Sequence, residues 1–326
     1  MNKEITLVTG AAGYIGSVLV RKLLAKGYRV RGMDNLSFGG ESLIGVYNDP
    51  NFEFVKGDVR NSDDVKKALH GVESVVHLAA IVGDPACAKQ PELAEDINWN
   101  GARSLYDLCC ETKNVIKFVF ASTCSNYGKM PGEGYLNEKS PLNPVSLYAE
   151  LKVKFEQYLL ESKTREDFTP TALRFATVYG LSPRLRFDLT VNEFTREVAL
   201  GKELKVFGEQ FWRPYCHVED LARGCIHILE SDPSIVGHNV FGVGDTGENY
   251  QKAMIAAELL KVVPGARIKF VSSSEDPRDY RVDFSKIKNE LGFEITRTVP
   301  EGIREIYRIL KDGIISDPYS NTYKNI

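Results

Sequence analysis

The stretch that decides the fold is Thr6-Leu7-Val8-Thr9-Gly10-Ala11-Ala12-Gly13-Tyr14-Ile15-Gly16, near the start of the chain. The mainly apolar residues before the first glycine predict a buried strand, and the apolar positions that follow the third glycine predict a helix. Three glycines spaced three apart between a strand and a helix are typical of a unit that binds a dinucleotide. Gly10 permits the tight turn, Gly13 lets the backbone approach a pyrophosphate, and Gly16 lets the helix pack on the strand.

An acidic residue at the end of the second predicted strand indicates which dinucleotide the chain binds. Asp34 lies 18 residues beyond Gly16, where such units place a carboxylate that accepts hydrogen bonds from the adenine ribose hydroxyls. A carboxylate there also repels a 2′-phosphate, so the sequence favours NAD over NADP. The alternative is a turn residue at a strand end, since Asp-Asn pairs suit turns. The glycine loop upstream favours the ribose contact.

The composition is that of an ordinary globular protein and argues against several classes of partner. The chain has 326 residues, of which 43% are hydrophobic and 26% charged, with a formal net charge of −3. This balance gives no sign of a nucleic-acid partner. The sequence has neither an apolar run long enough to span a bilayer nor a signal-peptide pattern, so we expect no membrane partner and a cytoplasmic location. Its six cysteines form no Cys-x-x-Cys pair, and we expect free thiols and no metal site.

Alternating strand and helix patterns predict an α/β protein with a Rossmann-type, doubly wound parallel sheet and a smaller C-terminal α/β substrate domain. We expect the cofactor-binding domain to span residues 1–180, with parts of 214–244 returning to it. The substrate domain is expected to comprise residues 181–213 and 245–312. The polar residues 313–326 are predicted to form a mobile tail.

Tyr148 and Lys152 are one helical turn apart and are therefore predicted to lie on one side of a helix. An ammonium close to a tyrosine favours the phenolate and lowers the tyrosine pKa from its usual value of about 10, so that the tyrosine can accept a substrate proton. Taken alone, this spacing also describes a packed aromatic residue beside a solvated lysine. Here it follows a polar cluster, residues 122–127, at the end of the fifth predicted strand. Ligands of such sheets bind at this edge, which favours proton transfer.

The chain resembles the extended short-chain dehydrogenases/reductases, in the branch that acts on nucleotide sugars. The resemblance runs from Ile5 to about Lys311. The motifs that carry it are Gly10-x-x-Gly13-x-x-Gly16, Asp34-Asn35-Leu36, Gly57-Asp58-Val59, His77-Leu78-Ala79-Ala80, Asn98, Ser122-Thr123 with Tyr127-Gly128, Tyr148-x-x-x-Lys152, Leu173-Arg174-Phe175, Val178-Tyr179-Gly180 and the segment from Arg213 to Asp220.

The resemblance implies a site for NAD and a catalytic group. Thr123 would hydrogen-bond the reacting oxygen, Tyr148 would be the acid or base, and Lys152 would be its partner and a ribose ligand. The cofactor-binding residues would be Gly10, Gly13, Tyr14, Ile15, Gly16, Asp34, Asn35, Leu36, Asp58, Val59, Leu78, Ala79, Ala80, Asn98, Ser122, Tyr148, Lys152 and Phe175.

The resemblance also implies a nucleotide-diphosphate sugar as substrate. Asn192 and Arg213 would hold the diphosphate, and Arg278 would be a second phosphate arginine. Lys205 and Phe207 would belong to the strand whose backbone reads the base. Either arginine could instead form a surface salt bridge, although the planar guanidinium suits phosphate. The full set of expected substrate residues is Thr123, Ser125, Asn126, Thr177, Asn192, Lys205, Phe207, Arg213 and Arg278.

Departures from the family pattern reduce the number of reactions that the chain is expected to catalyse. The sugar 4,6-dehydratases of the family carry an Asp-Glu pair directly after the threonine, where this chain has Cys124 and Ser125, so dehydration is disfavoured. Cys124 either reaches the sugar or is a small buried thiol, and we favour the buried thiol. Thr177 stands where relatives commonly have an asparagine. Residues 81–91 are predicted to form a long loop, which looks similar to that of a group that includes GDP-heptose 4-dehydrogenases.

The resemblance implies hydride transfer at C4 of a nucleotide-linked sugar, and we expect a 4-epimerase. A nucleotide-sugar 4-dehydrogenase, for example one acting on GDP-heptose, or a 4-ketosugar reductase is the alternative, because the same residues serve each reaction. A non-catalytic NAD-binding sensor is a third interpretation, but such proteins often lack the tyrosine or the lysine. The family usually dimerises through two helices, so we expect a homodimer. Val153, Phe155, Leu159 and Leu160 would face either the partner subunit or the chain's own core.

Overall fold

The computed structural model describes residues 4–272 and 278–325. Its strands are β1 (Ile5–Thr9), β2 (Arg29–Asp34), β3 (Phe52–Lys56), β4 (Val72–His77), β5 (Lys117–Thr123), β6 (Thr169–Phe175), β7 (Thr177–Tyr179), β8 (Leu204–Phe207), β9 (Trp212–His217), β10 (Asn239–Val243), β11 (Asn249–Gln251) and β12 (Ile268–Val271). Its α-helices are α1 (Gly16–Ala25), α2 (Ser62–Leu69), α3 (Asp84–Lys89), α4 (Pro91–Glu95), α5 (Ala102–Glu111), α6 (Leu147–Glu161), α7 (Thr190–Ala199), α8 (Val218–Glu230), α9 (Pro233–Val236), α10 (Lys252–Val262), α11 (Ser285–Leu291) and α12 (Val299–Lys311). A π-helical segment, Asp96–Gly101, joins α4 to α5, and short 3-10 helices occupy Glu41–Val46, Cys124–Tyr127, Thr246–Glu248 and Asn321–Tyr323.

Seven strands in the described part of the chain form one parallel sheet in the order β10-β6-β5-β4-β1-β2-β3. From β1 the sheet grows in one direction through β2 and β3, and in the other through β4, β5 and β6. This order confirms the Rossmann-type sheet predicted from the sequence. Ligands of such sheets bind in the crevice where the direction reverses, beyond the carboxyl ends of β1 and β4.

Helices cover both faces of this sheet because its central strands are apolar on both sides. Leu7 and Val8, which are neighbours on β1, are both fully buried. Val8 packs in a cluster with α1 and α8, whereas Leu7 packs in a cluster with α2, α5 and α6. Burial of an apolar side chain of this size contributes about 1.5–3 kcal/mol. The first strand therefore lies at the centre of two cores.

The positions of helix α6 that were candidates for a dimer contact mostly face this core. Val153, Phe155 and Leu159 are buried, and Phe155 and Leu159 pack in one cluster with residues of β5. Leu160 is half-buried. The first three positions therefore belong to the chain's own core, because α6 covers one apolar face of the sheet.

The later part of the chain builds two smaller sheets. One has the strand order β11-β9-β7, and in the other β8 pairs in parallel with β12. Their core contains Val191 from α7, Ile255 from α10 and Ile303 from α12. β10, which comes from the same half of the sequence, joins the large sheet alongside β6 instead.

Residues 81–91, predicted to be a loop, contain α3 and the beginning of α4. A proline occupies the first turn of each helix, where its missing N–H would have no helical partner. Cys87 and Ala94 are buried against Leu151 of α6. The prediction is wrong because these helices have only six and five residues. Tertiary packing holds such short helices, and no periodic pattern in the sequence reveals them.

The prediction of a mobile tail is also wrong for residues 313–325. The Phe187 N–H donates a hydrogen bond of 2.9 Å to the Tyr323 carbonyl, and the two rings lie edge to face with their centroids 5.5 Å apart. Ile315 and Tyr323 pack against a small apolar core that consists of Leu185, Phe187, Ile306 and Leu310. The tail is therefore attached to the segment between β7 and α7.

None of the helices found in residues 4–272 and 278–325 has both the length and the apolar character required to cross a bilayer. The six cysteines are free thiols, as predicted. Burial raises the pKa of the Cys225 thiol to about 12, so this group stays protonated and unreactive at neutral pH.

Candidate active site

A cavity of about 500 Å³ lies at the carboxyl edge of the parallel sheet. Among the residues predicted from the sequence, those that line it are Gly10, Gly13, Tyr14, Ile15, Gly16, Asp34, Asn35, Asp58, Val59, Leu78, Ala79, Ala80, Ser122, Thr123, Ser125, Tyr148, Lys152, Phe175, Thr177 and Arg278. Those that the structure does not bring to this cavity are Leu36, Asn98, Asn126, Asn192, Lys205, Phe207 and Arg213. The structure thus brings the glycine loop, the acidic residue at the end of β2 and the group of Thr123, Tyr148 and Lys152 together in one cavity.

Close backbone contacts require two of the glycines in the loop after β1. A Cβ at Gly16 would overlap the Gly10 carbonyl, and a Cβ at Gly10 would lie 2.8 Å from the Ala79 nitrogen. Gly10 also has a φ of +71°, a left-handed conformation that glycine adopts without strain. Helix α1 begins at Gly16, and this first residue lines the cavity. The amide end of a helix favours a phosphate at such a place.

The Asp34 carboxylate is held in place by two backbone amides. Its Oδ2 accepts a hydrogen bond from Ala12 N over 3.0 Å, and its Oδ1 accepts one from Leu36 N over 2.8 Å. Burial raises the pKa of Asp34, and these two amides act in the opposite direction. Leu36 has a φ of 63° and contributes its backbone to this arrangement, not its side chain to the cavity. Asp34 itself stays available at the cavity wall for a ribose diol.

Helix α6 positions Tyr148 opposite the end of β5. The helix begins after Ser146, whose Oγ accepts a hydrogen bond of 3.3 Å from Ala149 N and so satisfies one amide of its first turn. Tyr148 lies close to Thr123, the last residue of β5, and both side chains line the cavity. Two hydroxyl-bearing side chains therefore line the cavity at the carboxyl edge of the sheet, which is the edge where ligands of such sheets bind.

Lys152 lies one turn further along α6 and is buried. Its Nζ donates a hydrogen bond of 2.7 Å to the Ala121 carbonyl and stands 4.6 Å from the centroid of the Phe120 ring. The same Nζ is 6.0 Å from the centroid of the Tyr148 ring. Burial lowers the pKa of Lys152 to about 8. The lysine thus lines the cavity while its ammonium is anchored to the sheet.

The pKa of Tyr148 moves in the opposite direction from the sequence prediction. Burial raises it, the charges of Cys87 and Asp84 raise it further, and the nearby Thr123 hydroxyl and the charge of Arg186 lower it only in part. In the protein without its cofactor, Tyr148 is therefore a protonated phenol at neutral pH. The prediction assumed that the nearby ammonium dominates, whereas the loss of water around the ring is the larger effect.

The low pKa of Lys152 gives a testable pH dependence of stability. The unfolded chain, with a lysine pKa of 10.5, binds more protons than the folded chain between about pH 8 and 10.5. The stability of the wild type therefore gains from this residue as the pH rises through that range. We expect Lys152→Met to remove that gain, so that the stability of the variant relative to the wild type falls by up to about 3 kcal/mol from pH 7 to pH 10.5.

Urea unfolding of both cofactor-free proteins at the two pH values measures this difference. The same change in both proteins would show that Lys152 carries its usual pKa in the folded state. Ionisable groups distant from Lys152 are common to both proteins, and their contributions cancel in the comparison.

Two asparagines expected to bind ligands are buried in structural roles instead. Asn98 uses its side chain to accept from Ile81 N and to donate to Ile81 O, both over 2.8 Å. Asn126 donates from Nδ2 to Ser122 Oγ over 3.0 Å and to Glu156 over 3.3 Å. Asn98 therefore fixes the backbone of the segment that lines the cavity, and Asn126 lies behind Ser122.

Asn192, expected to bind the diphosphate, is fully buried below the cavity. Its Oδ1 accepts a hydrogen bond of 3.0 Å from Gly180 N, and its Nδ2 donates to the Tyr14 hydroxyl over 3.1 Å and to the Arg186 carbonyl over 2.8 Å. The Tyr14 hydroxyl in turn donates to the Gly180 carbonyl. Asn192 therefore ties the segment after β7 to the glycine loop and does not face a ligand.

Lys205 and Phe207 line a second cavity of about 390 Å³. Phe207 is 53% exposed, and the Lys252 ammonium donates a hydrogen bond of 2.8 Å to its carbonyl. Thr190, the first residue of α7, lines both this cavity and the main one. The two cavities therefore adjoin each other at Thr190.

The two arginines predicted to bind phosphate differ in their positions. Arg278 lines the main cavity and forms a salt bridge of 2.9 Å with Asp84. Arg213 is buried behind the wall, with its guanidinium carbon 5.3 Å from the centroid of the Tyr280 ring, and Tyr280 lines the cavity. Only Arg278 of the pair is therefore placed at the cavity surface.

Several cavity residues were missed in the sequence. Arg184, Arg186, Asp188 and Thr190 all line the main cavity. Arg186 forms a salt bridge of 2.9 Å with Asp188. The signal was a run of charged residues in an irregular segment that directly follows a strand end. Such a segment lies at the ligand edge of an α/β sheet.

The sequence matches the model of the NAD dependent epimerase/dehydratase family over residues 6–244, well over half of the chain. The chain belongs to this family. The match includes the glycine loop, Thr123 and the Tyr148–Lys152 pair. It is therefore an NAD-dependent enzyme of the extended short-chain dehydrogenase/reductase type, and the prediction of NAD as cofactor is confirmed.

Individual relatives resemble the whole chain. The UDP-glucose 4-epimerase of Bacillus subtilis (strain 168) is 28% identical over 329 residues, which cover 93% of this chain and 95% of the relative. A solved UDP-glucose 4-epimerase from Thermotoga maritima, with UDP-glucose, is 27% identical, has a TM-score of 0.83, and covers 95% of this chain and 99% of its own. The UDP-glucuronic acid 4-epimerase from Bacillus cereus, in complex with UDP-glucuronic acid and NAD, is 28% identical with a TM-score of 0.83, and covers 94% and 99%.

Proposed function

We propose that this chain is a nucleotide-sugar 4-epimerase. The observation that carries the proposal is that Thr123 and Tyr148 line one cavity with Lys152, the glycine loop and Asp34. The pair is suited to move a proton to and from a sugar hydroxyl next to a bound dinucleotide. The 4-epimerases among the relatives support the same reaction.

The residues of the chain would hold the cofactor and move the proton. The glycine loop would receive the pyrophosphate, and Asp34 the adenine ribose. Bound NAD supplies a reversible acceptor for hydride from C4 of the sugar. The positive charges of Lys152 and of the bound cofactor would favour the phenolate of Tyr148. This phenolate would accept the proton of the C4 hydroxyl and return it, and Thr123 would hold the same oxygen through its own hydroxyl. Lys152 binds the second ribose and keeps a positive charge beside the phenol.

The arrangement of acids disfavours the dehydratase reaction that other members of the family perform. Cys124, at the position of the dehydratase acid, is buried and donates its thiol to the Arg174 carbonyl over 3.4 Å. Two carboxylates that do line the cavity near Tyr148 are engaged in salt bridges, Asp84 with Arg278 and Asp188 with Arg186. No free acid and base pair from the described residues therefore stands ready to eliminate water.

The second cavity would hold the nucleotide of the substrate. Its half-exposed Phe207 offers a flat face for a base, and Thr190 links it to the cavity in which the sugar reacts. Arg278 lies on the wall of the main cavity, where it would meet the diphosphate. We propose that residues 181–213 and 245–312 bind this nucleotide sugar, and that residues 1–180 with parts of 214–244 bind NAD.

We also propose that the enzyme is a cytoplasmic homodimer. Trp99, Tyr158 and Leu160 remain half-buried on the side of the chain where α5 and α6 lie. The Lys154 ammonium stands 4.1 Å from the centroid of the Trp99 ring. A second copy that covered these aromatic and apolar side chains would remove them from water. Sedimentation analysis of the purified enzyme measures its mass in solution.

A panel of substrates tests the proposed reaction. The purified protein is first examined for bound NAD, and then offered UDP-, dTDP-, GDP- and CDP-sugars. We expect one class to yield its C4 epimer without a lasting rise in absorbance from reduced nicotinamide. A stoichiometric rise in reduced nicotinamide would instead identify a dehydrogenase, and the absence of any product would support a sensor.

A further inference from the structure

The C-terminal segment, residues 313–325, is anchored first on helix α7. The Tyr319 hydroxyl donates a hydrogen bond of 3.0 Å to Glu197 Oε2. The Tyr319 ring has the Arg196 guanidinium carbon 4.4 Å from its centroid and the Lys202 ammonium 3.6 Å from it. Cations near an aromatic ring are attracted to its face. The first half of the segment is therefore attached to the wall of the second cavity, to which Glu197 belongs.

The end of the segment continues along the wall of the main cavity. The Phe187 N–H donates to the Tyr323 carbonyl, and the Asn325 N–H donates to Asp188 Oδ2, over 2.9 and 3.0 Å. Asp188 is the partner of Arg186 in the cavity. Asn325 itself lines that cavity. The segment therefore contributes a wall to the site, although it lies far from the catalytic residues in sequence.

Arg184 connects this wall to the opposite side of the cavity. Its Nη2 donates to the Lys324 carbonyl over 2.9 Å and to Asn325 Oδ1 over 3.0 Å. Its guanidinium carbon stands 5.0 Å from the centroid of the Phe38 ring. Arg184 is 8% exposed, and Phe38 follows Asp34 by four residues in the loop after β2. Phe38, Arg184 and Asn325 all line the same cavity.

We propose that this bridge, formed by Phe38, Arg184 and Asn325, closes the cofactor site and keeps NAD bound between turnovers. One end of the bridge lies beside Asp34, where the adenine ribose binds, and the other end is the C-terminal segment. While Arg184 contacts both Phe38 and residues 324–325, this bridge would slow the release of NAD. The inference rests on the cofactor of the family and not on the proposed epimerase reaction. An epimerase benefits because it regenerates NAD in each cycle and has no need to exchange it.

A shortened chain that ends at Ile315 tests the bridge. The chain is purified with NAD bound, separated from free nucleotide, and diluted in the absence of any sugar. NAD released with time is measured by an enzymatic cycling assay. We expect release at least about tenfold faster than from the full chain, because loss of two hydrogen bonds at about 0.5–1.5 kcal/mol each lowers the barrier by that amount. Release at the rate of the full chain would overturn the proposal.

Two point variants decide the matter if the shortened chain does not fold. Arg184→Gln removes the guanidinium that contacts both walls, and Asn325→Ala removes only the contact at the segment's end. We expect both to release NAD faster, Arg184→Gln more so. Ile314→Ser, at a position that is 69% exposed, is the matched control in the same segment and should release NAD like the wild type. Equal rates in all four proteins would contradict the bridge. Because no sugar is present, this result does not depend on the substrate panel.

Discussion

Replacing Tyr148 with phenylalanine is expected to lower kcat by about 10²–10⁴-fold, the range that a positioned acid or base contributes. The substitution removes one oxygen and leaves the ring in place, so α6 and the cavity keep their shape. Thr123 remains in the cavity and able to bind the sugar oxygen. The NAD content of the purified variant should equal that of the wild type, because the glycine loop and Asp34 are untouched.

The measurement is steady-state turnover with the substrate that the nucleotide-sugar panel identifies, together with the NAD content of each preparation. Tyr47→Phe is the matched control, since Tyr47 is 63% exposed and lies outside the cavity. It should retain wild-type turnover. A Tyr148→Phe enzyme that turns over as fast as this control would show that Tyr148 is not the acid or base. A fall confined to 1/KM would assign it to binding rather than to proton transfer.

The parts of the site that could be predicted from the sequence are those formed by local rules. The roles of Gly10 and Gly16 can be predicted from the sequence because the tight turn and the packing of the helix on the turn involve residues only a few positions apart. Tyr148 and Lys152 follow from helical spacing together with the polar cluster, residues 122–127, that ends the fifth strand. These features depend on backbone geometry that a short stretch of sequence specifies by itself.

The three asparagines show why a motif position does not fix a role. Asn98, Asn126 and Asn192 stand at family positions, yet each turns its amide toward backbone or buried side chains. The direction of a side chain depends on which backbone groups nearby lack partners, and a buried polar group must find one. Those partners come from segments distant in sequence, which no local pattern reveals.

The prediction for the C-terminal segment was wrong for the same reason, because the partners of this segment also lie far away in the sequence. Its polar composition is that of an exposed tail, and only its contacts with Phe187, Asp188 and Arg184 hold it. Each of these contacts joins residues more than 130 positions apart. The roles of residues 184–188 and 313–325 depend on their contact with each other, and only the three-dimensional structure shows that contact.

Replacing Glu156 with leucine is expected to destabilise the fold by about 3–5 kcal/mol, the cost of leaving one partner of a buried ion pair alone. Glu156 and Arg174 are 1% and 4% exposed, and Glu156 Oε1 accepts hydrogen bonds from Arg174 Nη2 and Nε over 2.6 and 3.1 Å. Burial lowers the pKa of Arg174, but Glu156 and Tyr127 raise it overall. In the variant, a charged guanidinium therefore stays in the core without its carboxylate.

The variant should also lose turnover, because the pair supports the catalytic edge of β5. Ser122 Oγ donates to Glu156 Oε2 over 2.5 Å, and Ser122 directly precedes Thr123.

Urea unfolding and turnover of a double variant separate the loss of stability from the loss of turnover. Arg174→Met added to Glu156→Leu removes the unpaired charge, so the double variant should be more stable than Glu156→Leu alone. Glu161→Leu, an exposed change on the same helix, should alter stability by no more than about 0.5 kcal/mol. If the double variant recovered stability but not turnover, the carboxylate would be a positioning residue for Thr123 through Ser122. Recovery of both would restrict Glu156 to neutralising Arg174.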